Sequence, residues 1–120
     1  MIDAIRVADM MSKLYAVKSD DLSDALSIAK SSSNEIFDKL KDVKSEKDHR
    51  IIEAAAALSF YRYTLKKIMN DDAQTSFKAG DVTSSQSPSL MLQTAAIIRD
   101  EAFIKASSLL CDIDFLFGVM

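Results

Sequence analysis

One histidine and one cysteine limit the chemistry open to this 120-residue chain. Glu46 and His49 stand three residues apart. Helical bundles use that Glu-x-x-His spacing to hold a di-iron centre, but the centre needs a second copy of the pair. The other glutamates, Glu35, Glu53 and Glu101, supply none. His49 itself lies between Asp48 and Arg50, a setting that predicts a surface side chain. Asp71 and Asp72 lack the alternating oxygen ligands and the glycine of a calcium loop. Ser59 has no glycine-flanked elbow to expose a nucleophilic hydroxyl. With 2 glycines in the whole chain, phosphate-cradling loops are excluded as well. These residues predict no enzyme, no metal, no cofactor and no small-molecule substrate.

Two features carry more weight. Phe60, Tyr61, Arg62, Tyr63, Lys66 and Lys67 interleave rings and cations. Stacking and phosphate contact would give such a set affinity for nucleic acid. At helical spacing, packing of the rings in a core or an interface, with the cations at its edge, accounts for it better. Tyr61, Arg62 and Tyr63 are therefore candidate interface anchors, since Tyr and Arg dominate binding hot spots. The net charge of −3 attracts neither nucleic acid nor an anionic membrane. Cys111, being single, forms no internal disulfide and is expected in the core. The other feature is the end of the sequence. Ile113, Phe115, Leu116, Phe117, Val119 and Met120 fill six of its last eight positions. Chain ends are usually polar and frayed. So much apolar surface needs cover, either on the chain's own core or on another subunit. Phe115, Leu116, Phe117, Val119 and Met120 are thus a second candidate interface.

The elements that would carry these residues are helical. Scarce glycine and a single proline argue against the tight turns of an all-β fold. A first helix is expected over about 2–17, with Ile2, Ile5, Met10, Leu14 and Val17 as its stripe. Asp20 or Asp21 would cap a second, over about 21–43, with Leu22, Ala25, Leu26, Ala29, Ile36, Phe37, Leu40 and Val43 inward. Ser31-Ser32-Ser33-Asn34 could bend it, because these side chains compete for backbone groups. Ser45-Glu46-Lys47-Asp48 has the form of a capping box for a third helix, over about 46–69. That helix carries Ala54, Ala55, Ala56, Ala57, Leu58 and Phe60. It is apolar nearly all round, which places it at the centre. Residues 70–88 form one long loop, in which Phe77 and Val82 flank Ala79-Gly80-Asp81. Pro88 suits the first position of a last long helix, over about 88–110, which carries Leu92, Ala95, Ala96, Arg99, Ala102, Phe103, Ala106, Leu109 and Leu110, with Ile97, Ile98 and Ile104 as a second apolar edge. Asp112 could cap a fifth, short helix. The expected fold is all-α: a single domain, 1–120, of four to five helices around the alanine-rich helix. No apolar run approaches the ~20 residues needed to span a bilayer. Asp3 and the short apolar runs also exclude an ordinary secretory signal.

Three segments give this order of features a resemblance to the small head–tail connector (adaptor) proteins of tailed bacteriophages. They are Leu22–Lys30, the alanine-rich aromatic stretch Ala54–Arg62, and the loop Phe77–Thr83 that leads to a last long helix. Val82 stands where the family pattern has an aromatic residue. The resemblance implies a structural protein that forms a homo-oligomeric ring of about a dozen copies beneath the portal, enclosing the DNA channel. It implies that Phe77, Lys78, Gly80, Asp81 and Val82 reach a neighbouring subunit or another neck protein. The expected location is then the host cytoplasm and, after assembly, the virion neck. The alternative from another class is a small cytoplasmic helical module, a regulator or a chaperone for one partner.

Overall fold

The computed structural model describes residues 1–15, 17, 22–70 and 88–111. The long loop, the apolar tail from 112 onward, and Asp20 and Asp21 lie outside the described residues. The fold is all-α. Four helices run in the order α1 (Ala4–Tyr15), α2 (Leu22–Asp38), α3 (His49–Asn70) and α4 (Pro88–Ala106). Short 3₁₀ turns at Val43–Lys47 and Ser107–Leu109 complete the described elements.

Aspartates start three of these elements. The Asp3 carboxylate accepts a hydrogen bond from the Ile5 amide at 3.0 Å, which caps α1. Asp42 accepts from Lys44 N at 2.9 Å and begins the first 3₁₀ turn. Asp48 accepts from Arg50 N at 2.9 Å and begins α3. Ser45 therefore does not cap α3: it lies inside the 3₁₀ turn, and Asp48 is the cap itself. The Arg50 guanidinium grips the same carboxylate through Nε at 3.1 Å and Nη2 at 3.0 Å. These bonds hold the Asp48 carboxyl below the usual carboxylate range.

α3 is the centre. It packs against α1, α2 and α4, and α1 and α2 also pack against each other. Contacts from Met1 to Glu46 and from Tyr15 to Phe60 run α1 alongside α3 in the same direction. Contacts from Asp24 to Lys66 and from Glu35 to Arg62 run α2 the opposite way. The Glu53–Lys105 and Tyr61–Arg99 contacts do the same for α4. Small side chains make this crowding possible. Ala54, Ala55, Ala56, Ala57 and Ser59 on α3 are buried, as are Ala25, Ala29, Ser32 and Ser33 on α2. Larger groups close the core around them: Val7, Met11, Ile36, Ile51, Ile52, Leu58 and Phe103 are all fully buried. Each side chain of that size stabilises the fold by about 1.5–3 kcal/mol relative to exposure.

α2 runs unbroken through Ser31–Asn34, because Ser32 and Ser33 are buried within the bundle and packing outweighs their weak helix propensity. It ends at Asp38, earlier than expected, so Val43 falls in the 3₁₀ turn and is exposed. On α1 the buried residues are Val7, Ala8 and Met11. Ile5, about 200° round the helix from Val7, is exposed, and so is Leu14. After α4 the chain turns back toward the end of α2. Lys41 N donates to Leu109 O at 3.0 Å and Cys111 N to Lys39 O at 2.8 Å. Leu40 and Leu110 form an isolated antiparallel bridge there, with Leu110 buried. Alternation along extended chain then turns the next residue outward, and Cys111 is exposed and not in the core.

The buried hydroxyls differ in their bonding. Ser59 Oγ donates to Ala55 O at 2.6 Å. Ser33 Oγ is buried without a hydrogen-bond partner among the described residues. An unpaired buried hydroxyl costs about 1–3 kcal/mol, and alanine is the better helix former. Ser33→Ala should therefore raise the urea midpoint of unfolding by an amount equivalent to about 1 kcal/mol. A lower midpoint would show that the hydroxyl is bonded.

Candidate functional site

The polar groups that the sequence singles out sit mainly on α3 and are held by its neighbours. Arg62 forms a two-point ion pair with Glu35 of α2, one bond from Nη2 to Oε1 at 2.9 Å and the other from Nη1 to Oε2. Nη1 also donates to Ser32 Oγ at 3.3 Å. Both partners are about a third exposed, so the pair contributes about 0.5–1 kcal/mol and fixes the register of α2 on α3. On the other side the buried Arg99 of α4 lies over the Tyr61 ring, 4.4 Å from its centroid. The Arg99 guanidinium also reaches Asp100 at 3.0 Å. Lys67 lies 5.8 Å from the centroid of the Tyr63 ring. Tyr61, Arg62 and Tyr63 are thus half-buried, with Tyr61 and Arg62 bound up in contacts between α3 and its neighbours.

No catalytic or metal-binding constellation assembles from these residues. His49 is exposed at the start of α3, with Nε2 3.8 Å from Glu53. Glu46 turns instead to the Met1 ammonium at 2.7 Å. Among the described residues no group of three His, Cys, Asp or Glu side chains is placed to hold a metal ion. None of the described helices is long and apolar enough to cross a membrane. The candidate loop residues Phe77, Lys78, Gly80, Asp81 and Val82 lie outside the described residues, as do Phe115, Leu116, Phe117, Val119 and Met120 of the tail.

What the structure does bring forward is α4. One side of this helix, with Ala95, Arg99, Ala102, Phe103 and Ala106, is buried. The opposite side carries Leu90, Ile97 and Ile104, which are 45%, 53% and 68% exposed. Residues seven apart drift by only ~20° on a helix, so these three form one straight line. The sequence places Ile97, Ile98 and Ile104 on a second apolar edge of the helix but leaves Leu90 out; of the three, Ile98 is half-buried. The seven-residue interval from Leu90 is the signal that would have joined them. Other large apolar residues at the surface are Ile5, Leu14, Val43 and Met69, the last in the final turn of α3.

No family model, curated protein or solved structure matches the chain.

Tyr15 offers a direct check of the α1–α3 packing. Its ring stacks on Phe60 at 4.7 Å, with the planes 20° apart. Burial, followed by the nearby charge of Glu53, pushes its phenol up from 10.0 to about 12. Between those two values the unfolded chain has lost a proton that the folded chain keeps. Stability should therefore fall as pH rises through this window. The absorbance titration of the wild type minus that of Tyr15→Phe should show a phenol ionising near 12. A difference curve centred near 10 would contradict the packing.

Proposed function

We propose that the protein is a structural subunit of a phage or prophage head–tail connector, acting by assembly and not by catalysis. The observation that supports this reading is the apolar surface that the bundle leaves uncovered. α3 is enclosed by three helices, and Leu90, Ile97 and Ile104 still face outward on α4. Large apolar side chains left exposed along one side of a helix are candidates for cover by another chain. The connector form comes from the resemblance of Leu22–Lys30, Ala54–Arg62 and Phe77–Thr83 to that family.

In this reading the bundle is a stiff body, and residues outside it reach its neighbours. Phe77, Lys78, Gly80, Asp81 and Val82 would contact the next subunit or another neck protein. Phe115, Leu116, Phe117, Val119 and Met120 would be covered in the assembly. Tyr61, Arg62 and Tyr63 would act indirectly, by holding α2 and α4 in place on α3. The partners are then further copies of the chain, the portal and other neck proteins, first in the host cytoplasm and then in the virion. An acidic chain with a net charge of −3 suits a channel wall that lets DNA pass without holding it.

Light scattering on the full chain, combined with electron microscopy of the same sample, tests the reading. It predicts closed ring-shaped particles of about a dozen copies, as expected of a cyclic assembly. Particles with no ring form, alone or with a portal present, would overturn it and favour the helical binding module.

A further inference from the structure

The end of the bundle where α1 and α3 begin carries a surface of a different kind. Met1, Ile5 and Val43 are exposed there, at 69%, 70% and 58%. The Met1 ammonium meets Glu46 at 2.7 Å, which seats the start of the chain on the 3₁₀ turn Val43–Lys47. Arg6, Lys41, Lys44 and Lys47, on the same two segments, are exposed as well. None of these cations enters an ion pair among the described residues. The acids of the two segments are already engaged. Asp3 caps α1, Asp42 caps the 3₁₀ turn and Glu46 holds the Met1 ammonium. Asp48, next along, is taken by Arg50. Residues 1–6 and 41–47 are thus net positive in a chain whose net charge is −3.

The same chain contains the complement. Residues 112–120 carry Asp112 and Asp114 and no cation, together with Ile113, Phe115, Leu116 and Phe117. We propose that this acidic, apolar segment of one copy docks on the basic, apolar surface of the next copy. Asp112 and Asp114 would meet Lys44 and Lys47, and Phe115 and Phe117 would cover Met1, Ile5 and Val43. Opposite charges of this kind steer a contact and fix its register.

The exit of the chain from the bundle favours the next copy over the same one. Lys41 N donates to Leu109 O and Cys111 N to Lys39 O, an antiparallel pairing centred on Leu40 and Leu110. Successive residues of one segment then oppose receding residues of the other. The chain therefore reaches Cys111 heading from Lys41 toward α2, with its own turn Val43–Lys47 behind it. Residues 112–120 can extend over about 30 Å, enough to cross to a neighbour and lie along its surface. Donor and acceptor are different surfaces, and each copy has one of each. Such a head-to-tail contact repeats and closes into a ring when the rotation allows. The proposal rests on the connector reading for the idea that copies assemble, and it supplies the contact.

The test mixes two variants of the full chain, both with Cys111→Ser, because Cys111 is exposed and would cross-link by itself. Lys44→Glu with Lys47→Glu spoils the surface and leaves the tail intact. Phe115→Ser with Phe117→Ser spoils the tail and leaves the surface intact. Light scattering should show the parent chain assembling as concentration rises into the tens of micromolar. Each variant alone should associate about ten-fold more weakly or worse, as expected when opposed charges become alike or an apolar anchor is lost. Far-UV circular dichroism of the lysine variant should stay unchanged, since both lysines are exposed. Mixed in equal amounts, the two variants should form pairs and stop there, because only one intact tail and one intact surface can meet. A parent chain that stays monomeric overturns the proposal. So does a mixture without pairs, or either variant assembling as the parent does. Mixed pairs from a parent that builds no rings would count against the connector and leave this contact standing. Rings that survive both variants would do the reverse.

Discussion

The close approach of three helices to α3 is the constraint on which the other features depend. α3 is lined with alanines from Ala54 to Ala57, all fully buried. A helix with larger side chains there would hold its neighbours further off. The small residues of α2, Ala25, Ala29, Ser32 and Ser33, are buried within the same bundle. Dispersion and burial are spread over many short contacts in such a core, and volume changes of even one methylene are felt. Ion pairs and one ring stack then set the register of each neighbour. Glu35 and Arg62 do so for α2, Glu53 and Lys105 for α4, and the stacked pair of Tyr15 and Phe60 for α1.

This arrangement also decides what α4 is left to do. α1 and α2 cover one another as well as α3, whereas α4 has α3 as its main neighbour. A helix with polar residues opposite its packed side would be complete in that position. α4 instead carries Ile97 and Ile104 opposite Ala95 and Ala102. The same composition that makes it a good partner for α3 on one side leaves an uncovered line on the other. The aromatic and basic residues of α3 take part in the interior arrangement, with Tyr61 under Arg99 and Arg62 against Glu35. Both contacts join α3 to a neighbouring helix of the same chain.

The helices were legible where hydrophobic spacing and small residues agree. The alanine run marked α3 as central, and Pro88 marked the start of α4. Boundaries were less legible because several aspartates compete as caps. Asp48 looked like the fourth and last residue of a box that began at Ser45, yet it is the cap itself. The stripe of α1 was misread at Ile5, since the residues that reach the core are Val7, Ala8 and Met11. Cys111 was expected inside and lies outside, because an extended turn-back after α4 alternates its side chains. The partners of Arg62 and Arg99 were not legible. An ion pair between residues 27 positions apart in sequence depends on the register of two helices, which only packing sets. The line on α4 was half legible: the isoleucines were noted, but which of two apolar sides would be buried was decided by α3.

Amide hydrogen exchange followed residue by residue tests the central role of α3 most directly. Amides in the most tightly packed element open only when the whole chain unfolds. The amides of Ala55 through Thr64 should therefore be the slowest in the protein and share one opening free energy, equal to that of global unfolding. Exchange in this segment as fast as in α1, or by local opening well below the global value, would contradict the account.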